Sequence, residues 1–82
     1  AMETRVAVAA IIVEEPASVA SLNDLLHQYS AYIIGRMGIP YKEKNIAVIS
    51  IAMDAPNDVI SALTGKIGRL KGVTVKAAYS SF

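Results

Sequence analysis

Ile46-Ala47-Val48-Ile49-Ser50-Ile51-Ala52-Met53, followed at once by Asp54-Ala55-Pro56-Asn57-Asp58, decides the fold. The first run reads as a strand that is apolar on both faces. The second is a helix start. Asp54 can cap, Pro56 is pre-set for the first turn, and Asp58 favours the positive end of the helix dipole. The helix continues to about Leu70, with Ile60, Leu63, Ile67 and Leu70 as its buried stripe. Gly65 and Gly68 each weaken it by ~1 kcal/mol relative to alanine, and their spacing reads first as tight helix–sheet packing and second as close approach of a ligand. Lys71-Gly72 is a C-terminal stop.

The same strand-then-helix order occurs once earlier. Arg5 to Val13 (RVAVAAIIV) is again apolar in both alternating sets, and Glu14-Glu15-Pro16 ends it. A helix follows from Pro16 or Ala17 to about Ser30. Val19, Leu22, Leu26 and Tyr29 recur at three- and four-residue steps, and Leu25 widens the stripe. Ala31 to Met37 reads as a second strand, and Gly38 to Asn45 as its connection to the third. Val73 to Tyr79 is a fourth strand with one wetter face, as an edge strand has. The order β-α-β-β-α-β is the split βαβ arrangement: α+β, ferredoxin-like, a four-stranded antiparallel sheet with two helices on one face. Right-handed crossovers place the first and third strands in the centre. These are the two strands whose pattern asks for cover on both faces, yet the helices cover only one. A second subunit on the other face, or sheet edges joined between subunits, would complete the burial.

Composition bounds the rest. Eighty-two residues make one domain, 1–82. A chain this short buries only ~60% of its unfolded surface, yet 54% of its residues are hydrophobic. The two facts agree if part of the apolar surface is buried against another copy. With no cysteine, the chain offers no disulfide, zinc-thiolate or iron–sulfur ligand, as expected of a cytoplasmic protein. A net charge of +1 makes no case for direct nucleic-acid binding. No apolar run reaches the ~20 residues that span a bilayer. The start lacks the pattern of a signal peptide, and Ala1-Met2 reads as a remnant before or around the natural start.

The search for chemistry is mostly negative. His27 is the single histidine and reads first as a solvated helix residue. Asn23 and Asp24 are its nearest helical neighbours as metal partners, and the expectation is no metal and no cofactor. Glu14 and Glu15 are adjacent and point to opposite faces, so they form no acid–base pair. No serine or cysteine stands with a base as a nucleophile would. Gly65 and Gly68 lie inside a helix, not at its N-terminus, and form no phosphate loop. The most informative stretch is Gly35-Arg36-Met37-Gly38-Ile39-Pro40-Tyr41. Arg36, framed by glycines at a strand end, can hold an anion through a bidentate contact or pair across a subunit boundary. Met37 and Tyr41 are packing residues before they are ligand contacts. Asp54 and Asn57 are capping residues first and a weaker ligand set second.

Gly35 to Tyr41, Asp54 to Gly68 and Leu70-Lys71-Gly72-Val73 also resemble a small family, that of the proposed iron-only hydrogenase system regulators. The similarity runs over nearly the whole chain. It implies a stand-alone ACT-like domain, similar to the regulatory domain of the nickel-responsive NikR repressor, that forms oligomers and is linked to hydrogenase or its maturation. Two departures matter. Amino-acid-binding ACT domains carry an Asp-x-Pro-Gly-like turn after the first strand, whereas Glu14-Glu15-Pro16-Ala17 keeps the proline and lacks the glycine. The NikR nickel site uses several histidines and a cysteine, which His27 alone does not reproduce, and the DNA-reading ribbon-helix-helix is missing. The sequence therefore predicts a non-enzymatic homo-oligomeric regulator, dimer or tetramer. Its candidate ligand or interface residues are Gly35, Arg36, Met37, Gly38, Tyr41, Asp54 and Asn57. The alternative is a scaffold acting only through self-association or docking to a hydrogenase-maturation partner.

Overall fold

Two apolar strands form the centre of the sheet in the computed structural model, which describes residues 3–81. The reading of Ala1-Met2 falls outside them. Strand β1 (Arg5–Val13) pairs antiparallel with β3 (Ile46–Ala55), from Arg5 opposite Ala55 to Val13 opposite Ala47. On its other side β1 pairs with β4 (Val73–Tyr79), and β2 (Ile33–Tyr41) pairs with β3, so the order is β2-β3-β1-β4. Helices α1 (Val19–Gln28) and α2 (Asn57–Gly68) complete the expected βαββαβ order.

The alternation of burial along β1 shows how the sheet is covered. Ala7, Ala9, Ile11 and Val13 are buried, and the intervening Val6, Val8, Ala10 and Ile12 are exposed. On β3 the buried set is Ile49, Ile51, Met53 and Ala55. The inward residues meet Leu22 and Leu26 of α1 and Ile60, Leu63 and Ile67 of α2 in one core, with Val19, Leu25, Tyr29 and Leu70 packed at its margin. Both helical stripes are thus the expected ones. Gly68 lies against β4, where an added Cβ would stand 3.4 Å from Val75 Cγ1, an ordinary packing distance. Gly65 would meet only the end of the Arg69 side chain, at 3.7 Å.

Three expectations are corrected. Strand β2 does not run from Ala31 to Met37. Ala31 lies in a 3-10 turn, Ser30–Tyr32, and the strand continues through Gly38, Ile39, Pro40 and Tyr41, which pair with Ile49, Val48, Ala47 and Ile46. The connection shrinks to a turn at Lys42–Lys44, closed by Asn45 in the left-handed region. Glycine and proline read as breakers, but β2 is an edge strand, where a missing N–H costs no ladder bond on the open side. Helix α1 is preceded by a separate 3-10 turn, Pro16–Ser18, so the regular helix starts later than Pro16 or Ala17. Asp54 is not a cap either. It belongs to β3, Pro56 takes the N-cap position with no side-chain hydrogen bond, and the helix begins at Asn57. The register of β3 against Arg5 and Val6 carries the strand two residues past Met53.

The β1–α1 and α2–β4 loops lock together. Glu14 N–H donates to Gly72 O at 2.7 Å, and Ser18, a buried polar residue, donates through Oγ to Lys71 O at 2.6 Å. Gly72 has φ +68, and a Cβ there would lie 2.6 Å from Glu15 Cβ. Only glycine combines that backbone with that approach.

Candidate functional site

The seven residues singled out from the sequence do not converge. Strand alternation sends Arg36 and Gly38, opposite buried Ile51 and Ile49, toward the helical side of the sheet. Gly35 and Met37, opposite Ala52 and Ser50, belong to the helix-free side. Tyr41 lies six positions from Gly35, about 20 Å along a strand, and its hydroxyl donates to Glu43 Oε2 at 3.1 Å. Asp54 is exposed on the helix-free side, opposite Val6. Asn57, at the start of α2, accepts through Oδ1 from Arg5 Nη1 at 3.4 Å. Arg5 also donates to Ser80 O at 2.7 Å and stands 4.8 Å from the centre of the Tyr79 ring. Asn57 is therefore part of a structural clasp around Arg5.

Two features remain. The first is a cleft of about 530 Å³ between the C-terminal half of α1 and the start of β2, lined by Asn23, Leu26, His27, Ser30 and 33–36. Arg36 reaches across it, and its Nη2 donates to Asn23 Oδ1 at 3.4 Å. Asn23 and His27 are four residues apart, which puts them on one face of α1. In the sequence His27 reads as a solvated helix residue with Asn23 as its helical neighbour. The i,i+4 spacing was visible, but only the fold reveals that this face looks onto Arg36. Beside the cleft, β2 has a register irregularity between Ile33 and Gly35, and Ile34 within it is 66% exposed. Bulges of this kind recur next to sites because they re-aim a side chain.

The second feature is the helix-free face of the sheet. The registers align Ile39, Val48, Ile12 and Thr74 in one row, Met37, Ser50, Ala10 and Lys76 in the next, and Gly35, Ala52, Val8 and Ala78 in a third. Val6, Val8 and Ile12 are 40–44% exposed, and Met37 and Ile39 are about half exposed. Among the described residues, no three His, Cys, Asp or Glu side chains gather as metal ligands. No described helix is long and apolar enough to cross a membrane.

An antiparallel β2-β3-β1-β4 sheet with both helices on one face defines a ferredoxin-like, ACT-like α+β domain. The chain belongs to the TM1266-like family, whose model, described as "Iron-only hydrogenase system regulator, putative", matches residues 5–77. Its fold is similar to that of the uncharacterized protein TM1266 from Thermotoga maritima, with a TM-score of 0.90 and 37% sequence identity over 94% of this chain and 98% of that one. It is also similar to a formyltetrahydrofolate deformylase from Pseudomonas putida KT2440, with a TM-score of 0.64 over 89% of this chain and 28% of that one. At 9% identity, that second likeness speaks for the fold alone. No curated protein matches the chain.

Proposed function

We propose that this protein is a non-enzymatic regulatory module of an iron-only hydrogenase system, working as an oligomer assembled through the helix-free face of its sheet and sensing a small ligand. The observation that carries the reading is the apolar area on that face. Val6, Val8 and Ile12 of β1 and Met37 and Ile39 of β2 stand on that face on either side of β3, whose Val48 lies between Ile12 and Ile39, and a lone chain rarely leaves such a patch in water. The charges support association of like with like. Asp54 and Lys76 are the only charged residues among the outward positions of β1, β3 and β4 that the registers align. A two-fold axis can bring the acid of one copy to the base of the other.

The family's description as a regulator supports the non-enzymatic assignment, and so does the scatter of the titratable groups. A hydrogenase-linked protein partner is the natural reader of such a module. Light scattering after gel filtration, with native mass spectrometry, tests the assembly. A dimer or tetramer at micromolar concentration is the expected result, and a monomer up to high concentration refutes it. Calorimetric titration with amino acids, nucleotides and divalent metals tests the sensing. Arg36→Ala should abolish the heat of the ligand that binds and leave the oligomer intact. Silence across all three classes, with normal function in Arg36→Ala, leaves a scaffold that acts through self-association alone.

A further inference from the structure

We infer that the cleft between α1 and the start of β2 receives a small organic acid, its carboxylate on Arg36 and its hydrocarbon part against Ile33 and Ile34. The inference rests on the ligand-sensing half of the reading above and not on the assembly. The sign of the ligand follows from the lining. Arg36, His27, Asn23 and Ser30 bring hydrogen-bond donors to the cleft, and no carboxylate lines it. Asp24, the acid nearest in sequence, lines instead a groove shared with Lys66 and Arg69 on the other side of α1. A cation would therefore find no counter-charge here, whereas an anion finds a guanidinium.

The geometry narrows the class. Among the described residues Arg36 makes one side-chain hydrogen bond, a long one at 3.4 Å from Nη2 to Asn23 Oδ1. Most of its five donors are left for a planar, two-oxygen acceptor, the shape the guanidinium fork matches. The remaining wall is apolar. Leu26 is buried at its base, Ile33 is partly buried, and Ile34 is exposed beside Arg36. A volume of about 530 Å³ falls in the range of small-molecule clefts. A guanidinium with exposed hydrocarbon beside it suits an acid with an apolar tail better than a bare inorganic anion.

Amide NMR titrations of the full chain with butyrate, hexanoate and inorganic phosphate test this, with a tetramethylammonium salt as control. The expected result is saturable shifts confined to residues 23–36, tighter for hexanoate than for butyrate and weakest for phosphate. Arg36→Gln should weaken hexanoate by about tenfold or more, the loss expected for a charged hydrogen-bonding partner. Ile34→Ser should weaken hexanoate severalfold and leave phosphate unchanged. Both side chains are exposed, so the spectra of the variants should keep their dispersion. The inference is overturned if no carboxylate gives saturable shifts there, if Arg36→Gln binds hexanoate as the parent does, or if phosphate binds more tightly than either acid. None of these results bears on the oligomer, whose mass is measured separately.

Discussion

Val8→Lys is the most direct test of the open sheet face. Val8 stands in the central strand β1, between Ala52 and Ala78, and is 44% exposed. Fully burying a valine, isoleucine or methionine side chain contributes ~1.5–3 kcal/mol. The five half-exposed residues Val6, Val8, Ile12, Met37 and Ile39 thus hold in reserve about 1 kcal/mol each. That is about 5 kcal/mol per copy and about 10 kcal/mol across a two-fold interface. The sum is comparable to the ~4–15 kcal/mol cost of association, so no member of the set is dispensable. Lysine at position 8 removes about 1 kcal/mol from each copy and brings two ammonium groups into a closing apolar interface, at several kcal/mol each. A total above about 5 kcal/mol weakens association more than a thousandfold. In the separate chain the same side chain faces water, and the cost stays within the ~1 kcal/mol span of strand propensities. Light scattering across a concentration series should therefore show a folded monomer for Val8→Lys. Ser61→Lys, on the exposed side of α2, should keep the parental mass. If Val8→Lys assembles as the parent does at the same concentration, the helix-free face is not the interface and the argument fails.

Other perturbations separate packing from function. Gly72→Ala should lower the urea-unfolding free energy by about 2 kcal/mol or more, because a left-handed backbone and a contact with Glu15 oppose the added carbon. A midpoint equal to the parent's would show that the loop clasp is not as tight as described. Ser18→Ala removes the donor to Lys71 O and should cost about 1–2 kcal/mol in the same assay. Leu63→Ala, at a fully buried site, should cost about 2–5 kcal/mol. Gly38→Ala should be neutral or stabilising by up to about 1 kcal/mol, since its Cβ meets nothing within 4 Å. If that substitution breaks the oligomer while raising the melting temperature, the glycine serves a neighbour and not the chain.

The fold was legible because its signals are local and repeated. The runs at Arg5–Val13 and Ile46–Met53, each followed by acids and a proline, state the βα unit twice, and the helical stripes name the core from one side. The errors fell where a neighbour overrides local chemistry. Gly38-Ile39-Pro40-Tyr41 carries the signature of a turn, but the full length of β3 lies beside it, and pairing with Ile46 to Ile49 outweighs that propensity at an edge. Asp54 looks like a cap until the pairing of Val6 with it extends the strand by two residues.

The site divides in the same way. Sequence alone determined that two central strands would be apolar on both sides, that two helices could cover only one of those sides, and that Arg36 was the charge to watch. These follow from periodicity and composition, which are properties of the chain itself. Only the tertiary structure decided what Arg36 faces. Alternation along β2 sets it opposite Ile51 and turns it to the helical side, away from Met37 and from Asp54. There the crossover of α1 brings Asn23 and His27 over it, from a helix face that looked like plain solvent exposure. That juxtaposition depends on register and on which side the helices lie, and neither is written in any one segment.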